Sequence, residues 1–226
     1  YAQVQPGADP ARVGAALVRG CHRIDQALAA DPGLARRVAP GGSREDLQRH
    51  WLQAAAGAVA AVDWLLGPRT AARRAAGTAL ARIAAACAAR PARLGSADYN
   101  ARNVVLDECL RPYFIDFATL SWDWLERRVV QYATGLGSGR EGGAFVSLLG
   151  AEARQAHAAC GGDLAALDQH QVVFLLNGVA LLAAAIRSSG QPASEALLQA
   201  WTRPRDRLRQ LVALLRKPWD ADADCR

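Results

Sequence analysis

Two short β-prone runs, Val104-Val105-Leu106 and Tyr113-Phe114-Ile115, stand by themselves in a chain that otherwise reads as helix. The residues between them, Asp107 to Pro112, suit a turn, so the segment reads strand, turn, strand. An isolated two-stranded hairpin is marginal in water, and a bundle of helices has no packing need for one. The hairpin therefore constrains the fold most: helices must cover it, and something must require it.

The surroundings are helix formers. Fifty of the 226 residues are alanine, the strongest of them, and only 6% are aromatic. That excludes an all-β sandwich or barrel. Asp9-Pro10 reads as an N-cap with proline at the first helical position, and Val13, Ala16, Leu17, Ile24 and Leu28 carry a helix to Pro32. Ser43-Arg44-Glu45-Asp46 opens a second helix that passes Trp51 and Trp64 to Gly67-Pro68. A third runs from Thr70 to Arg90-Pro91. Helices resume after Trp122, and Trp122 and Trp124 are expected in the core. Five glycines between Gly135 and Gly143 make a loop, and further helices are predicted over 144–159, 164–188 and 193–216, with a frayed tail from Asp220. The organisation is one mainly α domain over 1–226: helical over 1–93, hairpin-bearing over 94–117, helical again over 118–226.

Charge and cysteine usage narrow the class. Lys and Arg number 27 against 21 Asp and Glu, Lys217 is the only lysine, and the excess lies in residues 1–97. No basic tract is interleaved with aromatics, so no nucleic-acid partner is expected. Cys21, Cys87, Cys109, Cys160 and Cys225 form no CxxC pair, which reads as reduced thiols in a cytoplasmic protein. Val172 to Ile186 is interrupted by Asn177 and too short to span a bilayer. His22, His50, His157 and His170 adjoin no nucleophile motif and read as helix-surface or capping groups. The loop Gly137 to Gly143 follows a helix and lacks a Walker lysine, so it reads as a helix connection or a substrate-side lid.

Chemistry gathers at the hairpin's ends. Ser96-Ala97-Asp98-Tyr99-Asn100-Ala101-Arg102-Asn103 precedes the first strand and Ile115-Asp116-Phe117 follows the second. The reversal of the hairpin brings Asp98, Asn103 and Asp116 to one end. Two carboxylates and a carboxamide make an oxygen-rich pocket of the kind magnesium prefers, and one carboxylate can take a proton from an attacking hydroxyl. Phosphoryl transfer needs these parts. A plain structural account stays open: Asp98 or Asn100 capping a turn, and Asp116 ending a strand.

The segment from Leu94 to Phe117 resembles the catalytic loop, hairpin and metal-binding aspartate of the aminoglycoside phosphotransferase and choline kinase-like superfamily, small-molecule kinases with a protein-kinase-like fold. The shared features are the D-x-x-x-x-N spacing from Asp98 to Asn103, the short hairpin and the Ile115-Asp116-Phe117 that follows. Asp98 to Asn103 is also similar to the corresponding segment of bacterial sugar kinases, including lipopolysaccharide-core Kdo kinases. The resemblance implies that Asp98 is the catalytic base, that Asn103 and Asp116 bind magnesium and ATP, and that Ser96, Arg102 and Asp123 support them. It implies a small-molecule hydroxyl substrate, a sugar or an aminoglycoside-like acceptor.

Three departures accompany it. Ser96 stands where the family usually has a histidine. Ser121-Trp122-Asp123-Trp124-Leu125-Glu126 replaces the Gly-Asp-Pro that often follows, leaving Asp123 as the counterpart of a further Asp or as a helix N-terminal acid. Nothing in residues 1–93 resembles a β-rich N-terminal lobe, and Tyr1 to Gln5 resembles the hinge between lobes. With no methionine in the chain, a C-terminal lobe excised from a longer chain is expected, its N-terminal lobe on the same or another polypeptide. A catalytically inactive pseudokinase or interaction module is the alternative.

Overall fold

The computed structural model describes residues 9–38, 92–96, 103–117, 120–136 and 148–189, together with positions 53, 57, 74, 77–83, 85, 90 and 213. Helix α1 spans Pro10–Ala29. Asp9 caps it, its Oδ1 accepting the Ala11 N–H at 3.0 Å. Asp31-Pro32 repeats that start signal: Asp31 Oδ1 accepts the Gly33 and Leu34 N–H groups, each at 2.9 Å, and opens the six-residue α2, Pro32–Arg37. The sequence reading ended the first helix at Pro32 and missed α2, although the same Asp-Pro pair announces both. The predicted 43–66 helix lies outside the described residues save for the helical positions 53 and 57. The third predicted helix is helical wherever it is described before position 90. The glycine loop and, except for position 213, the 193–216 helix also lie outside.

Four strands follow: β1 (Arg93–Ser96), β2 (Val104–Leu106), β3 (Pro112–Phe114) and β4 (Leu120–Asp123). The predicted hairpin is β2–β3, antiparallel with Val105 opposite Tyr113, its second strand one residue earlier than expected. Its turn is held by Asp107, whose Oδ1 accepts the Cys109 and Arg111 N–H groups at 2.9 and 2.8 Å. The second ladder was not anticipated. β1 pairs antiparallel with β4, Gly95 opposite Ser121, so the hairpin is nested between its strands. Arg93-Leu-Gly-Ser96 lacks the alternation of a half-buried strand, and Leu120-Ser-Trp-Asp123 alternates over only four residues. Position, not local pattern, makes them pair.

Helices α3 (Leu125–Leu136), α4 (Ala151–Ala159) and α5 (Leu164–Ser189) complete the described fold. α1 is central: it packs on α4, α3, β1 and β3, while α3 also lies on α5. The core joins Val13, Leu17 and Val18 of α1 to Val104, Val129, Val130, Leu148 and Leu167, all nearly inaccessible. Phe114 of β3 meets Tyr132 of α3 edge to face at 5.2 Å, docking the hairpin on the helices. The buried face of α1 is rotated from the predicted stripe. It runs through Gly14, Val18, Cys21, His22 and Asp25, whereas Ala16, Ile24 and Leu28 are only half-buried. A stripe of apolar residues alone omits His22 and Asp25, the polar members of the buried face. Trp124 is buried as expected, but Trp122 is half-buried and donates from Nε1 to the Val38 carbonyl at 3.1 Å. Among the described residues no helix is long and apolar enough to cross a membrane.

Candidate functional site

The nested ladders decide what meets. Residues 97–102 run from β1 to β2 and residues 115–119 run from β3 to β4, so both connections join the same two ladders. The Ile115 N–H donates to the Asn103 carbonyl at 2.8 Å, extending the β2–β3 ladder by one residue at its open end. Asn103 therefore pairs with Ile115, the residue before Asp116, at that end of the hairpin. Asn103 is buried and Asp116 exposed. Asp116 has φ +63°, in the left-handed region, where aspartate is one of the few side chains tolerated. A backbone held there at the rim of a hairpin is the kind of constraint that collects at working sites.

The other candidates are distributed differently. Asp98 and Arg102 lie outside the described residues. Ser96 is buried in β1 and, with Gly95, Phe114 and Phe117, lines a cavity of about 20 Å³, room for one water. Asp123 is buried at the end of β4 rather than directed beside Asn103 by any described contact. Its Oδ1 accepts the Trp124 N–H at 2.8 Å and its Oδ2 pairs with Arg127 at 2.7 Å, the geometry of an acid at the start of α3.

Beneath these loops sits a polar cluster that sequence reasoning missed. Asp25, 1% exposed, accepts Arg128 Nη1 on Oδ1 at 2.8 Å and Arg93 Nη1 on Oδ2 at 2.9 Å. Arg128, itself buried, also donates to the carbonyls of Arg93, Leu94, Ser121 and Asp123. One guanidinium thus joins both strands of the β1–β4 ladder to α1 and α3. A Cβ on Gly95 would collide with that guanidinium and push it from its carboxylate and carbonyl partners. Because both candidate loops start or finish on this ladder, the cluster fixes their roots. The available signal was a charged residue on each apolar helical stripe: Asp25 four after Cys21, and Arg128 beside Val129.

Three histidines correct the sequence reading. His22, His157 and His170 are buried, not surface or capping groups, and His50 lies outside the described residues. His22 Nε2 and His157 Nδ1 share a hydrogen bond of 2.9 Å between α1 and α4, so one ring donates and the other accepts. Burial lowers the pKa of both below the usual histidine value, and for His22 the neighbouring His157 lowers it further. His170, stacked at a tilt 5.8 Å from Trp124, is pushed down to about 3 by burial, then by Arg127 and Arg90. Burial raises the Cys21 thiol to about 12, so it is no nucleophile.

Among the described residues no three His, Cys, Asp or Glu side chains gather as a metal centre. Magnesium keeps several waters and takes only one or two carboxylates plus phosphate oxygens, so a carboxamide and a carboxylate such as Asn103 and Asp116 are of a chemistry it accepts. Comparison with family models, with curated proteins and with solved structures finds no match.

Proposed function

We propose that this chain is the C-terminal lobe of a kinase-like phosphotransferase that moves the γ-phosphate of ATP to a hydroxyl of a small molecule in a magnesium-dependent reaction. The observation that supports the reading is the backbone pairing of Asn103 with Ile115, which puts Asp116 next along the chain at the open end of a hairpin nested between β1 and β4. In this reading the Asp98 carboxylate orients the acceptor hydroxyl and receives its proton. Asn103 and Asp116 would hold magnesium, which when bound would neutralise charge on the phosphates. The acceptor oxygen forms its bond to the γ-phosphorus as the bond to the bridging oxygen breaks, and ADP leaves. The sugar-like acceptor follows from the near-neutral charge of residues 98–226, which is ill suited to a polycation.

An exposed apolar strip adds support. Val105 and Tyr113 are cross-strand partners on the outer face of the hairpin, with Ile115 next along it, 41%, 52% and 48% exposed. Apolar surface beside a metal-binding pair suits a nucleotide base or a covering N-terminal lobe. The non-catalytic alternative rests on Ser96, a small buried side chain where the family places a histidine.

Calorimetric titration of Mg-ATP and of magnesium-free ATP, into this chain alone and joined to the N-terminal lobe that the reading calls for, tests it. Expected is magnesium-dependent binding that Asp116→Ala abolishes, with ATP turnover on an added sugar acceptor lost in Asp98→Asn. Binding without turnover on any acceptor favours the pseudokinase. No ATP binding by the folded two-lobe protein overturns the proposal.

A further inference from the structure

At the opposite end of the hairpin from Asn103 and Asp116, α1, α4 and the β2–β3 turn border an open cleft of about 460 Å³. That size accepts a small-molecule ligand. Alanines of α1 and α4 form its floor, and its polar groups are Arg12, Arg19, Glu152 and Gln155. Arg12 and Arg19 are seven residues apart, which places them within about 20° of each other around α1 and about 10 Å apart along its axis. Both are exposed, and neither has a carboxylate partner among the described residues. By contrast Arg93, Arg111, Arg127, Arg128 and Arg154 are each paired with an aspartate.

Helix stability does not account for Arg12. It lies in the first turn of α1, the positive end of the helix dipole, where a cation is unfavourable; Asp9 caps that end but the first turn itself has no acid. Glu152, in the first turn of α4, is explained by the same dipole. The turn that closes the cleft is also constrained. Leu110 has φ +60°, a left-handed backbone that a bulky side chain rarely adopts, and Asp107 pins the residues around it. The cleft therefore has a fixed wall, a floor of small side chains and two guanidinium groups against one acid, Glu152.

We propose that this cleft is a second ligand site that takes a small molecule bearing two phosphate groups. Arg12 and Arg19 each hold one phosphate, and Gln155 hydrogen-bonds the linker between them. The site shares no residue with the Asn103–Asp116 pair and does not rest on the phosphotransferase reading. A polyanion lying along α1 is the competing use of these arginines, because exposed Arg23 continues their face. Arg23 is not part of the cleft, whereas Arg12, Arg19 and Gln155 all line it, which favours a ligand seated there.

Calorimetry with 1,6-hexanediol bisphosphate and with inorganic phosphate as probes tests the assignment. The bisphosphate is expected to bind more tightly than phosphate. Arg12→Ala and Arg19→Ala should each weaken it by about tenfold or more, and added salt should weaken it further. Glu152→Gln, which removes the one opposing charge, should tighten it. Bound probe should slow alkylation of the exposed Cys109 on the cleft wall, read by peptide mass spectrometry. Asp116→Ala should bind the bisphosphate unchanged, which separates this site from the candidate catalytic one. Circular dichroism checks that the exposed-arginine variants remain folded. The proposal is overturned by absence of bisphosphate binding at millimolar concentration, or by binding that survives Arg12→Ala/Arg19→Ala. It is equally overturned if heparin binds in preference and Arg23→Ala weakens it as much as Arg12→Ala does.

Discussion

Asp25 is a carboxylate inside the buried face of a helix, and its two guanidinium partners are not equivalent. Arg93 is half-exposed and can reach water, whereas Arg128 is buried and has its Nε unpaired among the described residues. Removing Asp25 would therefore strand one buried cation. Breaking a buried pair from one side costs about 3–5 kcal/mol, while replacing both partners by apolar groups is often near neutral. Asp25→Ala is expected to lower stability by about that amount in urea unfolding. Asp25→Leu with Arg128→Met should recover much of the loss in bulk stability. Equal stability of Asp25→Ala and the parent would mean that the cluster does not hold the ladder. The double variant should still loosen the β1–β4 ladder, read as faster amide exchange at Leu94 and Trp122, because four carbonyls lose their common donor.

Elements meet here through small residues, and Gly14 makes that measurable. A Cβ at Gly14 of α1 would run into the Leu148 carbonyl just before α4. Two effects of Gly14→Ala then oppose each other. Alanine in place of a helical glycine stabilises by about 0.5–1 kcal/mol, while forcing extra volume against a backbone carbonyl costs about 1–3 kcal/mol. The collision should win, lowering the urea midpoint, with the α1–α4 contact loosened in amide exchange. A stabilised Gly14→Ala would show that α4 can shift freely. The same scale separates what the sequence announces from what it hides. Asp9-Pro10 gives α1, and the turn between two β-prone runs gives β2–β3, because caps and turns are local chemistry. The β1–β4 ladder is invisible, since Arg93–Ser96 and Leu120–Asp123 pair through a connection that encloses the whole hairpin. The pairing of Asn103 with Ile115 at the open end is legible because a hairpin fixes it by counting. The Asp25–Arg128 link spans 103 residues and no local count reaches it.

For the whole molecule, three buried histidines on α1, α4 and α5 tie stability to pH. His22 faces Asp25, Glu126 and Arg93, with His157 across the interface; His157 faces Asp163 and Arg154; His170 faces Arg127 and Arg90. Desolvation is the leading cause of the lowered pKa in each, so the folded state resists protonation that the unfolded chain accepts from about pH 6.5 downward. Protonation also removes the acceptor in the His22–His157 hydrogen bond, because an imidazolium has none. The sign follows: the unfolded chain binds more protons, so stability is fully present above about pH 6.5 and falls as pH drops toward the folded-state values. A histidine that stays neutral to pH 5 removes about 2 kcal/mol between pH 7 and pH 5. His170, with a folded value of about 3, meets that condition. Urea midpoints should therefore fall between pH 7 and pH 5, before most carboxylates titrate. His170→Phe should flatten part of that slope even if it repacks imperfectly against Trp124, because slope and absolute stability are separate readouts. Identical midpoints at the two pH values would mean that the rings are protonated in the folded protein, and that the α1–α4 interface is held by something other than a neutral imidazole pair.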